Sequence, residues 1–200
     1  MSDEKTLAVY NDKVDDYREM IQTLQESEAL ELFMAEVCVG GLILDLGCGP
    51  GKSSAHMFNC GYRVDPVDAS SAMVEVANEH FPIHARLATF DAIDQCDYYD
   101  GIWANFSLLH ATREEFPTIL AALFNALKPG GAFHIGMKTG EGEQRDELGR
   151  FYTFYTRSEL EGYLKHTGFQ VLSGRVGKDK GLAGTVDPWV TILSRKPATG

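Results

Sequence analysis

The stretch Leu44-Asp45-Leu46-Gly47-Cys48-Gly49-Pro50-Gly51-Lys52-Ser53-Ser54 constrains the fold most, because its spacing weighs against two familiar binding loops. A phosphate-cradling loop needs a Gly five positions before the Gly of its Gly-Lys pair. Here the pair is Gly51-Lys52 and the required position holds Leu46, so the backbone amides cannot wrap a triphosphate. A dinucleotide turn asks for G-x-G-x-x-G, its third glycine admitting close packing of helix on strand. This chain reads G-x-G-x-G, with Lys52 where that third glycine belongs. What remains is an apolar run from Gly41 to Leu44, then Asp45, the glycines at 47, 49 and 51, and a helix over Lys52 to Asn59. A strand, glycine turn and helix let backbone approach a ligand closely and aim helix N-terminal amides at it.

The rest of the chain repeats the alternation. Strands are expected at Leu42 to Leu46, Arg63 to Val67, Ile83 to Ala88, Gly101 to Asn105 and Ala132 to Met137, with a helix over Ser71 to His80. Alternating β and α segments argue for a parallel sheet with helices on both faces. Thr112-Arg113-Glu114-Glu115 fits a capping box, with Pro117 a competing helix start. That helix runs through Leu127 and stops at Lys128-Pro129-Gly130-Gly131. A polar loop, Lys138 to Gly149, follows the fifth strand. A second capping box, Thr156 to Glu159, starts a helix to His166 with Gly168 as its stop, and Tyr155 and Leu160 are placed as a hydrophobic staple. Two last strands, Gln170 to Arg175 and Trp189 to Ser194, flank a Gly-rich turn from Gly177 to Gly184, and a hairpin there puts an antiparallel strand into the sheet. Ahead of it all, residues 1–40 read as a helical cap, with Val9, Val14, Tyr17, Ile21 and Leu24, then Leu30, Phe33, Met34 and Val37, at helical spacing.

At 200 residues, 44% of them hydrophobic, the expectation is a single domain over 1–200 with a sizeable core. The formal net charge of −11 opposes binding to nucleic acid or an anionic membrane. Four cysteines, at 38, 48, 60 and 96, form no C-x-x-C pair and suggest reduced thiols in a cytoplasmic protein without a bound metal. No apolar stretch nears the roughly 20 residues a bilayer demands, and no signal-type N-terminus is read.

Leu44 to Gly51, Val67-Asp68-Ala69-Ser70, Phe90-Asp91, Tyr99 to Asn105 and Leu127 to Gly131, in that order and spacing, resemble a class I S-adenosylmethionine-dependent methyltransferase. The match runs from about Tyr10 to the end of the chain. The resemblance implies a Rossmann-like α/β fold: a seven-stranded sheet, mostly parallel, whose seventh strand runs antiparallel between the fifth and sixth. It also implies S-adenosylmethionine as cofactor, S-adenosylhomocysteine as product, and a small-molecule acceptor, in a monomer or homodimer. By resemblance, Gly47 and Gly49 pass under the methionine part, with Cys48 between them. Asp45 holds the ammonium indirectly and the Asn105 carbonyl receives it, with Phe106 following. Asp68 grips the ribose, with Ala69 and Met73 beside it, and Asp91 faces the adenine amino group next to Phe90.

Each residue has a plainer alternative. Asp45 can be a strand-end turn residue and Asp68 a helix cap. Tyr10 and Tyr17 either close an N-terminal helix over the cofactor, as in relatives, or pack in the core. His110, just after the fourth strand, is a candidate base or acceptor contact, or a structural hydrogen-bonding residue. After the fifth strand, Lys138, Arg145, Arg150, Tyr152 and Tyr155 suit a small anionic acceptor, unless the loop's charges pair internally with Glu141, Glu143, Asp146 and Glu147. Because methyl transfer is an in-line displacement that rests on alignment, the lack of an obvious triad does not count against catalysis. Two other functions stay open: a methyltransferase-like module that binds cofactor without turnover, and a nicotinamide-dependent oxidoreductase, against which Lys52 speaks.

Overall fold

A computed structural model describes residues 3–16, 19, 28–181 and 183–198. Helices α1 (Glu4–Asp12) and α2 (Glu28–Ala35) precede strand β1 (Leu42–Leu46). Then come α3 (Lys52–Asn59), β2 (Arg63–Asp68), α4 (Ser71–His80), β3 (Arg86–Leu87), β4 (Tyr99–Asn105), α5 (Phe116–Ala126) and β5 (Leu127–Lys138). A small ribbon, β6 (Glu143–Arg145) and β7 (Phe151–Thr153), leads to α6 (Arg157–Thr167), β8 (Gln170–Lys180) and β9 (Val186–Arg195).

The main sheet has seven strands in the order β3-β2-β1-β4-β5-β9-β8. The first five run parallel, and β9, the expected seventh strand, lies antiparallel between β5 and β8. Its central strands are apolar on both faces, as a sheet covered twice requires. Ile43, Trp103 and Ala132 pack with Leu30, Phe33 and Met34 of α2, whereas their neighbours Leu44, Ile102 and Phe133 pack with α5 and α6. The two-residue alternation of a strand thus divides the core into two layers.

The structure departs from the sequence expectation at several boundaries. The capping box and Pro117 do not compete: Thr112 and Glu115 close the box one turn early, and α5 then starts at Phe116. Lys128-Pro129-Gly130-Gly131 is not a gap between helix and strand but an irregular part of β5. Leu127 pairs with Tyr99, and Gly130 and Gly131 bond to Lys196. Of the expected third strand only Arg86–Leu87 pairs with β2, because Asn78 of α4 takes both the amide and the carbonyl of Ala85. Part of the polar loop is the ribbon, with Glu143 to Arg145 opposite Phe151 to Thr153. The last two strands reach further than expected, because Gly177 is no turn residue: the Trp189 ring lies where its side chain would project. The second capping box forms as read, Gly168 closes α6 with φ 112°, and the staple residues Tyr155 and Leu160 are both fully buried.

Candidate active site

The parallel strands bring their C-terminal ends to one edge, where open α/β sheets place their ligands. The turn after β1 starts beneath that edge. Asp45 is buried, and its carboxylate accepts from Ser54 Oγ of α3 at 2.5 Å. Burial pushes its pKa up to about 7, and the charge of Asp68 adds to the effect. Gly47 and Cys48 both donate their amides to the Val67 carbonyl, folding the turn back over β2. Gly47 has φ 79°, and a Cβ on it would lie 2.3 Å from Ser107 Cβ, so only glycine fits there. Gly51 supplies the close packing for which a dinucleotide turn uses its third glycine, since a Cβ there would lie 2.6 Å from Ile83 and 3.0 Å from Ala77.

Asp68 ends β2 with both carboxylate oxygens engaged from below: Oδ2 accepts from the Gly49 amide and Oδ1 from the Ser70 amide, each at 2.8 Å. Burial raises its pKa, while these amides oppose the rise. The N-cap of α4 is Ser70, whose Oγ accepts from the Met73 amide. The strand end and the helix cap are therefore separate residues.

Asn105 ends β4. Its Oδ1 accepts from His134 Nε2 at 3.1 Å, and the His134 ring stacks on Trp103 with centroids 3.8 Å apart. Burial pushes His134 down to about 3, which keeps it a neutral donor. Phe106 then takes φ 57°, a left-handed conformation costly for a bulky residue and typical of functional turns.

A cavity of about 720 Å³, its open mouth included, lies over these strand ends. Gly47 and Gly49 line it from the first turn, and Asp68, Ala69 and Met73 from the second. Phe90 closes one side, and Asn105, Phe106 and His110 the other. Asp45 is not among the lining residues but sits beneath the turn. Cys48 is also absent from the lining: it is buried, its thiol faces the Gly49 carbonyl at 3.6 Å, and burial pushes its pKa up. Asp91 is exposed beside the cavity and accepts from Thr89 Oγ1. Tyr17 lies outside the described residues.

The roof comes from α1, through Asp3, Thr6, Leu7 and Tyr10. Of these the sequence singled out only Tyr10. Asp3, Thr6 and Leu7 have no local signal, because their place depends on contacts more than 140 residues away, such as the Phe151 amide donating to Thr6 Oγ1 at 2.8 Å. Ser107 was also missed, though its position directly after Asn105-Phe106 was the available clue.

His110 stands at the junction of roof and sheet. Its Nδ1 donates to the Phe151 carbonyl at 2.6 Å, which leaves Nε2 to accept from the Tyr10 hydroxyl at 2.9 Å. Burial, and then the charges of Arg150 and Lys138, hold its pKa down at about 4, so the ring is neutral.

None of the five residues expected at the acceptor lines the cavity. Lys138 pairs with Asp187 at 2.7 Å and lies over the Tyr152 ring. Arg145 pairs with Asp3. Arg150 is buried, holds Asp146 through Nε and Nη2, and reaches the Tyr10 hydroxyl with Nη1 at 3.4 Å. Tyr152 is buried against His110, with ring centroids 4.9 Å apart. Tyr155 is buried against Phe116 beneath Arg113, where no small ligand reaches it. The internal pairing weighed from the sequence occurs, but with a different set of acids: Asp146 from the loop itself, joined by Asp3 and Asp187 from distant segments. Among the described residues, no group of three His, Cys, Asp or Glu side chains is placed to hold a metal, and no helix is long and apolar enough to cross a membrane.

A mostly parallel sheet with a glycine turn, acidic strand ends and a roofed cavity at its C-terminal edge defines the Rossmann-like class, whose open sheets take ligands at this edge. A family model of the methyltransferase domain matches residues 43–131. Trans-aconitate 2-methyltransferase of Paracidovorax citrulli is 37% identical over 102 residues, covering 48% of this chain and 38% of that protein. O-methyltransferase resE of Aspergillus sclerotiorum is 27% identical over 150 residues, covering 66% of this chain and 56% of that protein. The chain therefore spans from 38% to 56% of the length of these curated relatives. In fold it is similar to the 1,6-didemethyltoxoflavin-N1-methyltransferase of Burkholderia thailandensis, solved with S-adenosylhomocysteine, at TM-score 0.72 and 23% identity over 95% of this chain and 88% of that one. Residues 43–131 are thus similar to a methyltransferase domain, and the fold is that of a methyltransferase solved with S-adenosylhomocysteine, which supports S-adenosylmethionine as the cofactor.

The residues present fit that cofactor. Gly47 and Gly49 bring backbone without side chains to the cavity wall, where the ligand can approach closely. Asp68, at the cavity wall, spends one backbone amide on each oxygen and retains acceptor capacity for hydroxyls.

Proposed function

We propose that this chain binds S-adenosylmethionine in the cavity and transfers the methyl group to an oxygen of a small anionic acceptor beside His110. When bound, the cofactor supplies a methyl carbon made electrophilic by its sulfonium. In this reading Gly47 and Gly49 lie under the methionine part and Asp68 accepts from the ribose hydroxyls. Ala69, Met73 and Phe90 flank the base, and the Asn105 carbonyl receives the ammonium while Asp45 acts on it from beneath. Cys48 and Asp91 have no ligand contact in this reading.

The tautomer of His110 carries the assignment of an oxygen acceptor. With the Nδ1 proton spent on the Phe151 carbonyl, Nε2 keeps its lone pair for a hydroxyl, which at present is that of Tyr10. An acceptor hydroxyl that takes over this contact is oriented by the same lone pair. His110 would then take up the proton of that hydroxyl, while the bound cofactor would supply the methyl group to the oxygen. Tyr10 and the rest of α1 keep water out of this corner.

The charge of the acceptor is supported by a field rather than by a direct contact. Arg150 and Lys138 both act on His110 electrostatically, each paired with an acid, Asp146 and Asp187, and their action on His110 supports an anionic group beside it. The relative named for trans-aconitate supports an acidic acceptor as well. Arg145 is spent on Asp3 and Tyr155 on the core, so the reading retains Lys138, Arg150 and Tyr152.

Methyl transfer from labelled cofactor to a panel of small hydroxy carboxylic acids and their neutral hydroxy amides tests the proposal. Acids should be methylated and amides not. His110→Ala should lower turnover by about 10²- to 10⁴-fold with S-adenosylhomocysteine affinity unchanged. Methylation confined to neutral or cationic compounds would sink the anionic acceptor, and a full rate in the His110 variant would sink the base.

A further inference from the structure

Ser107 stands at the N-cap of the short 3-10 turn Leu108–His110, a position where serine ordinarily satisfies a backbone amide. It makes no such bond. Its residue is 7% exposed, its Oγ is buried without a hydrogen-bond partner, and it lines the cavity. An unmade hydrogen bond at a buried hydroxyl costs stability, so an orphan on a residue that lines a ligand cavity points to the ligand as its partner.

Its neighbours locate that partner. Ser107 Cβ occupies the space a Gly47 side chain would need, which sets the hydroxyl directly over the glycine turn. On the cofactor assignment above, on which this inference rests, that is the place of the amino-acid end, which brings an ammonium and a carboxylate. The ammonium has the Asn105 carbonyl and the Asp45 carboxylate. The carboxylate has no cation, because no Lys or Arg is among the described lining residues. Three lining side chains carry hydroxyls: Thr6, Tyr10 and Ser107. Thr6 donates to Asp3 at 2.7 Å, and Tyr10 donates to His110. Ser107 alone among the three has its proton uncommitted in the described structure. We infer that the Ser107 hydroxyl donates a hydrogen bond to the carboxylate of the cofactor's amino-acid end and so fixes the rotation of that end over Gly47.

The test compares Ser107→Ala with wild type by calorimetry, using S-adenosylhomocysteine and its decarboxylated analogue, S-adenosyl-3-thiopropylamine. The variant should bind S-adenosylhomocysteine about tenfold or more weakly and the analogue as wild type does, since a bond to a charged group is lost only where the charge is present. The ligand-free variant should melt no lower than wild type, because the hydroxyl it removes has no partner in the protein. Equal loss for both ligands, no loss for either, or a melting temperature several degrees lower in the free protein would each overturn the inference and leave the cofactor reading standing. Failure of the wild-type protein to bind S-adenosylhomocysteine would overturn both.

Discussion

Arg145 and Asp3 form a two-pronged ion pair across 142 residues of chain, Nη1 to Oδ1 at 2.9 Å and Nη2 to Oδ2 at 2.7 Å. The pair ties the start of α1 to the ribbon, while Asn11 near the other end accepts from Ser70 Oγ at 2.7 Å. Helix α1 is thus held at both ends across the cavity mouth.

Replacing Arg145 by Gln should loosen one end of that roof. Amide exchange in α1 should accelerate and S-adenosylhomocysteine should dissociate faster, with the preference for acidic acceptors unchanged. A lost preference would return Arg145 to the acceptor site. Arg145 holds Asp3 well below the usual carboxylate range. A depressed folded-state pKa means that the pair's contribution is present above the unfolded value and fades only as pH falls through the folded one. The roof should therefore stay closed through mildly acidic pH, and exchange in α1 measured down to pH 4 would show it.

Asp68→Ala should weaken S-adenosylhomocysteine binding by at least about tenfold and also destabilise the free protein by about 1–3 kcal/mol, because the Gly49 and Ser70 amides lose their acceptor. Calorimetry and thermal melts of the same sample separate the two effects. Asp68→Asn, which keeps one acceptor oxygen, should fall between. An unchanged melting temperature in the Ala variant would mean that the amides find water instead.

Asp45, with a pKa pushed up to about 7 from an ordinary 3.8, makes the ligand-free protein sensitive to pH. A raised folded-state pKa contributes stability that is fully present below the unfolded value and is lost as pH rises through the folded one. Stability should therefore decline between about pH 4 and pH 7, by up to about 1.4 kcal/mol per pH unit. Asp45→Asn should flatten that slope, as seen in denaturant midpoints at several pH values. Cofactor binding, which brings an ammonium above Asp45, should release a proton in this range, measurable by calorimetry in buffers of different ionisation enthalpy.

Gly136→Ala should act on the site from behind its lining, through Asn105. A Cβ there would lie 2.5 Å from Asn105 Oδ1, so Asn105 must turn away from His134. The cost should be about 1–3 kcal/mol of stability, as for overpacking elsewhere, together with weaker cofactor binding because the end of β4 moves. A His134→Phe variant, which removes the donor and adds no clash at Gly136, should weaken binding less. Equal effects would assign the whole loss to the hydrogen bond.

Much of this protein was legible in its order of residues. The glycine spacing after β1, the acids at the strand ends and the capping box at Thr156 are local: a turn needs glycine where φ is positive, and a cap needs a side-chain oxygen within a few positions. These signals placed Gly47, Gly49, Asp68 and Asn105 around one edge, and the resemblance added Phe90; Asp45 and Asp91, read to the same edge, lie outside the cavity lining. The hairpin that puts β9 between β5 and β8 was readable too, except that Gly177, taken for a turn, serves to admit the Trp189 ring.

What only the tertiary structure decided is who meets whom over long stretches of chain. Arg145, read as a grip for an anionic acceptor, turns out to hold Asp3, and Lys138 holds Asp187. Tyr10 covers His110, and the carbonyl of Phe151 sets its tautomer. A charge or a hydroxyl carries no mark in the sequence of the partner it will find, because ion pairs and side-chain hydrogen bonds have no fixed spacing. Turns, caps and strand alternation do have one, set by the geometry of the backbone, and that is why the sheet edge could be read from the sequence while the roof and the acceptor wall could not.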